Sequence, residues 1–100
     1  MLKLNNYITH LKNSLNALQN EEEKINKMAN YIMRCDKQNL KVLVAGNGGS
    51  NADAEHFVGE LVCTFNKRSR KPISAINLGA GQSAITAWSN DFDYATYFER

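Results

Sequence analysis

The 100-residue sequence predicts an α/β fold: a parallel sheet made of strand–turn–helix units and entered from two helices. Three observations carry this. The apolar run Val42-Leu43-Val44-Ala45 passes at once into Gly46-Asn47-Gly48-Gly49 and then into a helical pattern. A second apolar run, Ile73 to Leu78, passes into Gly79-Ala80-Gly81 and again into a helical pattern. Ahead of Leu40, apolar residues recur at spacings of three and four, the period of helices that bury one face. Strands that alternate with helices call for a parallel sheet, because parallel neighbours need a crossover between them.

The first helix is expected over residues 2–19, with Leu4, Tyr7, Ile8, Leu11, Leu15 and Leu18 on one stripe and His10 off it. Asn20 followed by Glu21, Glu22 and Glu23 predicts a second helix capped by Asn20, with Glu23 answering it. Its stripe is Ile25, Met28, Ala29, Ile32 and Met33, and it should end near Asp36 to Asn39. Both stripes read as packing surfaces. The leucine face of the first helix lies far in sequence from the sheet, so another subunit is its expected partner.

The run Val42–Ala45 suits a strand buried on both faces. Three glycines in the next four residues let the backbone take positive φ and approach a ligand closely. Ser50, three residues before Asp53, is the expected cap of the following helix. The basic stretch Asn66 to Pro72 reads as a solvated loop, with attraction of an anionic substrate as the alternative. Gln82 to Trp88 suits a short helix broken by Ser89-Asn90-Asp91, and Asp93 can cap a last helix with Tyr94, Tyr97 and Phe98. Two strands and a crossover leave a parallel sheet poorly covered. The chain is therefore expected to be a fragment or truncated product of a longer protein, residues 1–39 a helical arm and 40–100 the start of the sheet.

The candidate chemistry sits in the central unit. At about 100° per residue, Asp53, His56 and Glu60 share one face of the helix, with Phe57, Leu61 and Phe65 beside them. His56 and Glu60 are four apart, so both side chains can reach one metal or substrate atom. A glutamate beside apolar side chains is a candidate proton-transfer base. The glycine turn and the helix N-terminus that follows it suit an anion or a sugar hydroxyl. Each feature also has a plain structural reading, a tight connection and a solvated His–Glu pair. Their union in one unit, at a strand's carboxyl end where α/β ligands sit, points to function. The turn and the His56–Glu60 face are expected to open onto one pocket.

Composition narrows the classes. A chain 43% hydrophobic and 22% charged is globular, and a net charge of +2 does not suggest a nucleic-acid binder. Cys35 and Cys63 form no CxxC and no disulfide framework, so a reducing cytoplasm is the default expectation. No apolar run is long enough for a membrane span. A dinucleotide fingerprint requires G-x-G-x-x-G; Gly46 and Gly48 fit, but Asn51 holds the third position. No phosphate loop of the G-x-x-x-x-G-K-[ST] type is present.

Gly46-Asn47-Gly48-Gly49-Ser50, Asp53-Ala54, His56-Phe57, Glu60-Leu61 and Asn90-Asp91-Phe92 together resemble the sugar isomerase (SIS) domain of phosphoheptose isomerases. The resemblance runs over essentially all of the chain and over about the first half of a family member. It implies a three-layer αβα, flavodoxin-like fold with a parallel sheet, two preceding helices and a cytoplasmic homotetramer. It implies substrate contacts at Asn47, Gly48, Gly49, Glu60, Asn90 and Asp91, a zinc ion held by His56 and Glu60, and Glu60 as the catalytic base. The reaction implied is isomerisation of sedoheptulose 7-phosphate to D-glycero-D-manno-heptose 7-phosphate in bacterial heptose biosynthesis, for lipopolysaccharide or capsule. The family's phosphate loop, with a Gln and a His of the metal site, would lie beyond Arg100, so residues 1–100 alone are expected to be inactive.

Departures stand beside the matches. Many members carry Gly-Arg-Tyr where this chain has Cys63-Thr64-Phe65, and the turn Leu78-Gly79-Ala80-Gly81 and Ser89 also differ. The competing reading is a non-catalytic SIS protein of the replication-initiator-associating type. Such proteins keep the glycine turn and lack an acid at the position of Glu60, which this chain has. A SIS sugar-phosphate sensor usually adjoins a DNA-binding helix-turn-helix, and nothing in the sequence resembles one.

Overall fold

The computed structural model describes residues 3–100. Two compact units divide within a helix, at Arg34–Cys35. The first holds helix α1 (Leu4–Gln19) and most of α2 (Glu22–Lys37). The second holds strand β1 (Val42–Val44), helix α3 (Gly49–Val62), strand β2 (Ala75–Asn77), helix α4 (Gln82–Asp91) and a 3₁₀ turn (Tyr94–Thr96). Leu2, the expected first residue of α1, lies outside the described residues.

Asn20 does not cap α2. It keeps right-handed helical backbone at φ −78°, ψ −7° and closes α1, its N–H reaching Ala17 O at 3.1 Å. The first bond of α2 runs from Ile25 N–H to Glu21 O at 3.0 Å, so the capping position falls one residue later than the acidic run suggests. At its other end α2 stops as expected. Asn39 takes φ 55°, and the N–H groups of Leu40 and Asn39 return to Cys35 O at 2.8 Å and Asp36 O at 3.0 Å, a Schellman closure with asparagine in the left-handed position. The stripe of α1 stays open to solvent: Leu4 is 70% and Leu15 55% exposed.

The two strands pair in parallel, Val42 with Ala75, Leu43 with Ile76 and Val44 with Asn77. Bonds from Val42 N–H to Ser74 O and from Leu78 N–H to Val44 O extend the ladder at both ends. α3 is the crossover and packs on one face, where Ala54 and Ile73 are the buried apolar residues. β1 is not buried on both faces. Side chains alternate along a strand, so Leu43 and its partner Ile76 point together to the other face. They remain 59% and 42% exposed there.

Ser50 is not the cap of α3 either. The helix starts inside the glycine turn with Gly48 as its cap, at φ 54°, ψ −122°. That conformation is open to glycine, so the turn closes two residues sooner than a cap at Ser50 would allow. Gly46 serves differently: a Cβ there would overlap the main-chain carbonyl of Ser50, because the first turn of α3 lies directly against it.

α4 continues through Ser89-Asn90-Asp91. Ser89 Oγ donates back to Ile85 O at 2.6 Å, and Phe92 stacks on Trp88 one turn earlier with ring centroids 4.2 Å apart. These contacts outweigh the weak helix preference of the three polar residues. Asp93 caps as expected, its carboxylate accepting from Ala95 N–H at 3.0 Å. What it caps is a single 3₁₀ turn, with Arg100 N–H then returning to Thr96 O.

Candidate active site

His56 and Glu60 meet as their spacing requires, with Nε2 and Oε1 3.2 Å apart. The side chains are 80% and 36% exposed. An exposed pair of this kind contributes little to stability, so the fold does not depend on it. Around the pair lies a depression of about 590 Å³ lined by Asp53, His56, Phe57, Glu60, Leu61, Phe65, Arg70 and Ile73. This is the size of a small-molecule site. The polar face and the apolar residues Phe57 and Leu61 thus form two sides of one pocket, while Phe65, expected on the same helical face, reaches it from beyond the end of α3 at Val62.

The glycine turn does not open onto that pocket. Asn47, Gly48 and Gly49 are absent from its lining. Gly48 caps the start of α3 and Glu60 lies in its last turn. Twelve residues of helix separate them, about 18 Å at 1.5 Å per residue. One strand–turn–helix unit therefore presents its turn and its acid at opposite ends of the helix.

The turn has its own surroundings, at the carboxyl ends of the strands. The Tyr94 hydroxyl donates to Asn47 Oδ1, which brings the 3₁₀ turn onto the first glycine turn. Asn51 Nδ2 reaches Gly79 O at 3.5 Å, joining the first glycine turn to the second. Asn77, buried at the end of β2, accepts from Gly79 N–H at 2.9 Å. Asn90 Nδ2 donates to Asp91 Oδ1 at 2.9 Å in the last turn of α4, three residues before Tyr94. Tyr94 thus links the first glycine turn to the Asn90-Asp91 segment, although its own sequence pattern marks only a helix. Nothing in its local pattern marks a hydroxyl that meets a residue 47 positions away.

A tetrahedral zinc with ligand bonds near 2.0 Å holds its ligand atoms about 3.3 Å apart. The 3.2 Å between His56 Nε2 and Glu60 Oε1 fits one edge of such a site. Among the described residues no group of three or more His, Cys, Asp or Glu stands close enough to complete it. The pair therefore supplies at most two of four ligands. Cys35 and Cys63 are free thiols outside it.

A parallel βαβ core, a glycine turn at a strand's carboxyl end and an acid–imidazole face on the crossover helix define the class. The chain belongs to the SIS domain family, whose profile matches residues 6–100. It is 47% identical over 78 residues to a probable phosphoheptose isomerase of Thermoplasma acidophilum, covering 78% of this chain and 42% of that protein. It is 37% identical over 99 residues to a phosphoheptose isomerase of Crocosphaera subtropica, covering 97% and 50%. Among solved structures, a phosphoheptose isomerase from Francisella tularensis superposes with a TM-score of 0.78 at 28% identity, over 98% of this chain and 53% of that one. The chain spans about half the length of the curated relatives it matches.

Proposed function

We propose that the chain is the N-terminal part of a sugar-phosphate isomerase that converts sedoheptulose 7-phosphate to D-glycero-D-manno-heptose 7-phosphate in the cytoplasm. The reading is supported by the relatives' names and carried by one observation: Glu60 is half-buried in a mostly apolar pocket wall, beside His56. A carboxylate so placed is suited to take the proton from the carbon next to a sugar carbonyl. Returning it to the neighbouring carbon completes a ketose–aldose interchange with no net loss of atoms. Asn47, Gly48, Gly49, Asn90 and Asp91 are proposed to hold the sugar, with Glu60 reaching it from a second copy of the chain, since one copy sets the turn and the acid at opposite ends of α3. Zinc, if held by His56 and Glu60 with ligands from outside these residues, would polarise the substrate oxygens. The test is conversion of sedoheptulose 7-phosphate by a protein that carries this chain and the remainder of the domain. Absence of turnover with intact folding would leave the non-catalytic SIS reading.

The assembly belongs to the same proposal. α1 exposes Leu4, Tyr7, Leu11, Leu15 and Leu18, each at least 49% accessible, and water is an unfavourable neighbour for such a stripe. The chain is expected to sediment as a dimer or larger, and Leu11→Asp to shift it toward the monomer. A monomer at micromolar concentration without the substitution would refute this. Among the described residues no helix is long and apolar enough to cross a membrane.

A further inference from the structure

The basic loop Asn66–Pro72 resolves into one inward cation and three outward ones. Lys67, Arg68 and Lys71 are exposed, whereas Arg70 is half-buried and lines the pocket with His56 and Glu60. Its guanidinium is occupied by main-chain oxygens. Nη2 donates to Glu60 O at 2.5 Å, and Nη1 to Leu61 O at 3.0 Å and Lys71 O at 2.8 Å. The first two belong to the last turn of α3, where helix carbonyls have no partner within the helix.

Many helices finish such a turn with a left-handed glycine one residue past the cap. α3 has Thr64 at that position, without a positive φ, and its cap Cys63 takes φ −90° and ψ −93°. Its end is held instead from further along the chain. Ile73 N–H donates to Leu61 O at 3.0 Å, and Arg70 covers the same oxygen and its neighbour. A planar fork spans two adjacent carbonyls, which an ammonium does not, and its charge suits the negative end of the helix dipole. One of the two residues whose carbonyls it grips is Glu60.

We propose that Arg70 is a positioning residue for Glu60, its fork fixing the last turn of α3 so that the Glu60 carboxylate stays at the pocket wall beside His56. The proposal rests on the reading of Glu60 as the reacting acid. A last turn without caps frays, and a side chain on a fraying turn averages over several orientations.

The test is nuclear magnetic resonance of an isotope-labelled protein that carries this chain and the rest of the domain, comparing Arg70→Met, Arg70→Lys and the outward control Arg68→Met. Two readouts are taken: amide exchange of Cys63, whose N–H bonds to Gly59 O at 2.9 Å, and the Glu60 side-chain couplings with the His56–Glu60 nuclear Overhauser effect. Arg70→Met is expected to speed Cys63 exchange about tenfold or more and to average the Glu60 couplings, while Phe57 and Val58 amides keep their protection. Arg70→Lys should recover part of both, and Arg68→Met should change neither. Unchanged Glu60 couplings in Arg70→Met would overturn the proposal, even if exchange at the helix end rises. Should Arg70→Met fail to fold, Arg70→Lys decides, and Glu60 couplings identical to the unsubstituted chain would overturn it. No sugar enters these measurements, so absent isomerase turnover would count against the isomerase reading alone.

Discussion

Glu60→Gln, in a protein that carries this chain and the rest of the SIS domain, is expected to lower turnover of sedoheptulose 7-phosphate by ~10²- to 10⁴-fold. The substitution keeps the size of the side chain and a hydrogen-bonding partner for His56, which lies 3.2 Å from Oε1. It removes the carboxylate proposed as the base and as a metal ligand. Sugar binding should persist, because Asn47, Gly48 and Gly49 stand at the other end of α3 and Asn90 and Asp91 on α4. The control is Glu55, five residues earlier and exposed on another face of the helix. Glu55→Gln should leave turnover within about threefold, since an isolated surface charge contributes little. Steady-state kinetics and equilibrium binding on both variants settle the matter. Equal rates would make Glu60 a surface acid and favour the binding-protein reading.

Gly46→Ala is expected to destabilise the chain by about 2–3 kcal/mol, near the upper end for overpacking, because the added methyl meets main-chain atoms that have no alternative rotamer. For about 100 residues that lowers the melting temperature by roughly 10–20 °C. The Cβ would overlap Ser50 O and lie 2.8 Å from Asn51 N, so relief requires moving the start of α3. Gly48→Ala fails for a different reason. Nothing stands within 4 Å of its Cβ, but φ 54° with ψ −122° disfavours any side chain, at a cost of about 1–3 kcal/mol. Gly49 has neither problem, with open space and no positive φ. Gly49→Ala should leave the melting temperature within about 5 °C, as followed by circular dichroism. A tolerated Gly46→Ala would mean that the first turn of α3 does not lie against β1's exit.

Sequence alone determined what a single turn of chain can encode. The His56–Glu60 contact follows from a four-residue spacing on any helix, as does the apolar pair Phe57 and Leu61, whereas Phe65 joins their wall from beyond the end of α3 at Val62. The two strand–glycine-turn–helix units are local patterns of the same kind, and so is the end of α2 near Asp36 to Asn39. Tertiary structure decided wherever the chain returns on itself. Arg70 looked like one more solvated cation because its acceptors, Glu60 O and Leu61 O, lie on the preceding helix. Tyr94 carried no signal because Asn47 is a neighbour in space alone. Burial of β1 was overestimated because an apolar run states a preference for cover without saying which face receives it; α3 packs on one face and leaves Leu43 and Ile76 exposed. The pocket was decided by length: adjacency along a sequence is counted in residues, whereas the fourteen-residue α3 sets the turn and the acid at opposite ends of a rigid rod.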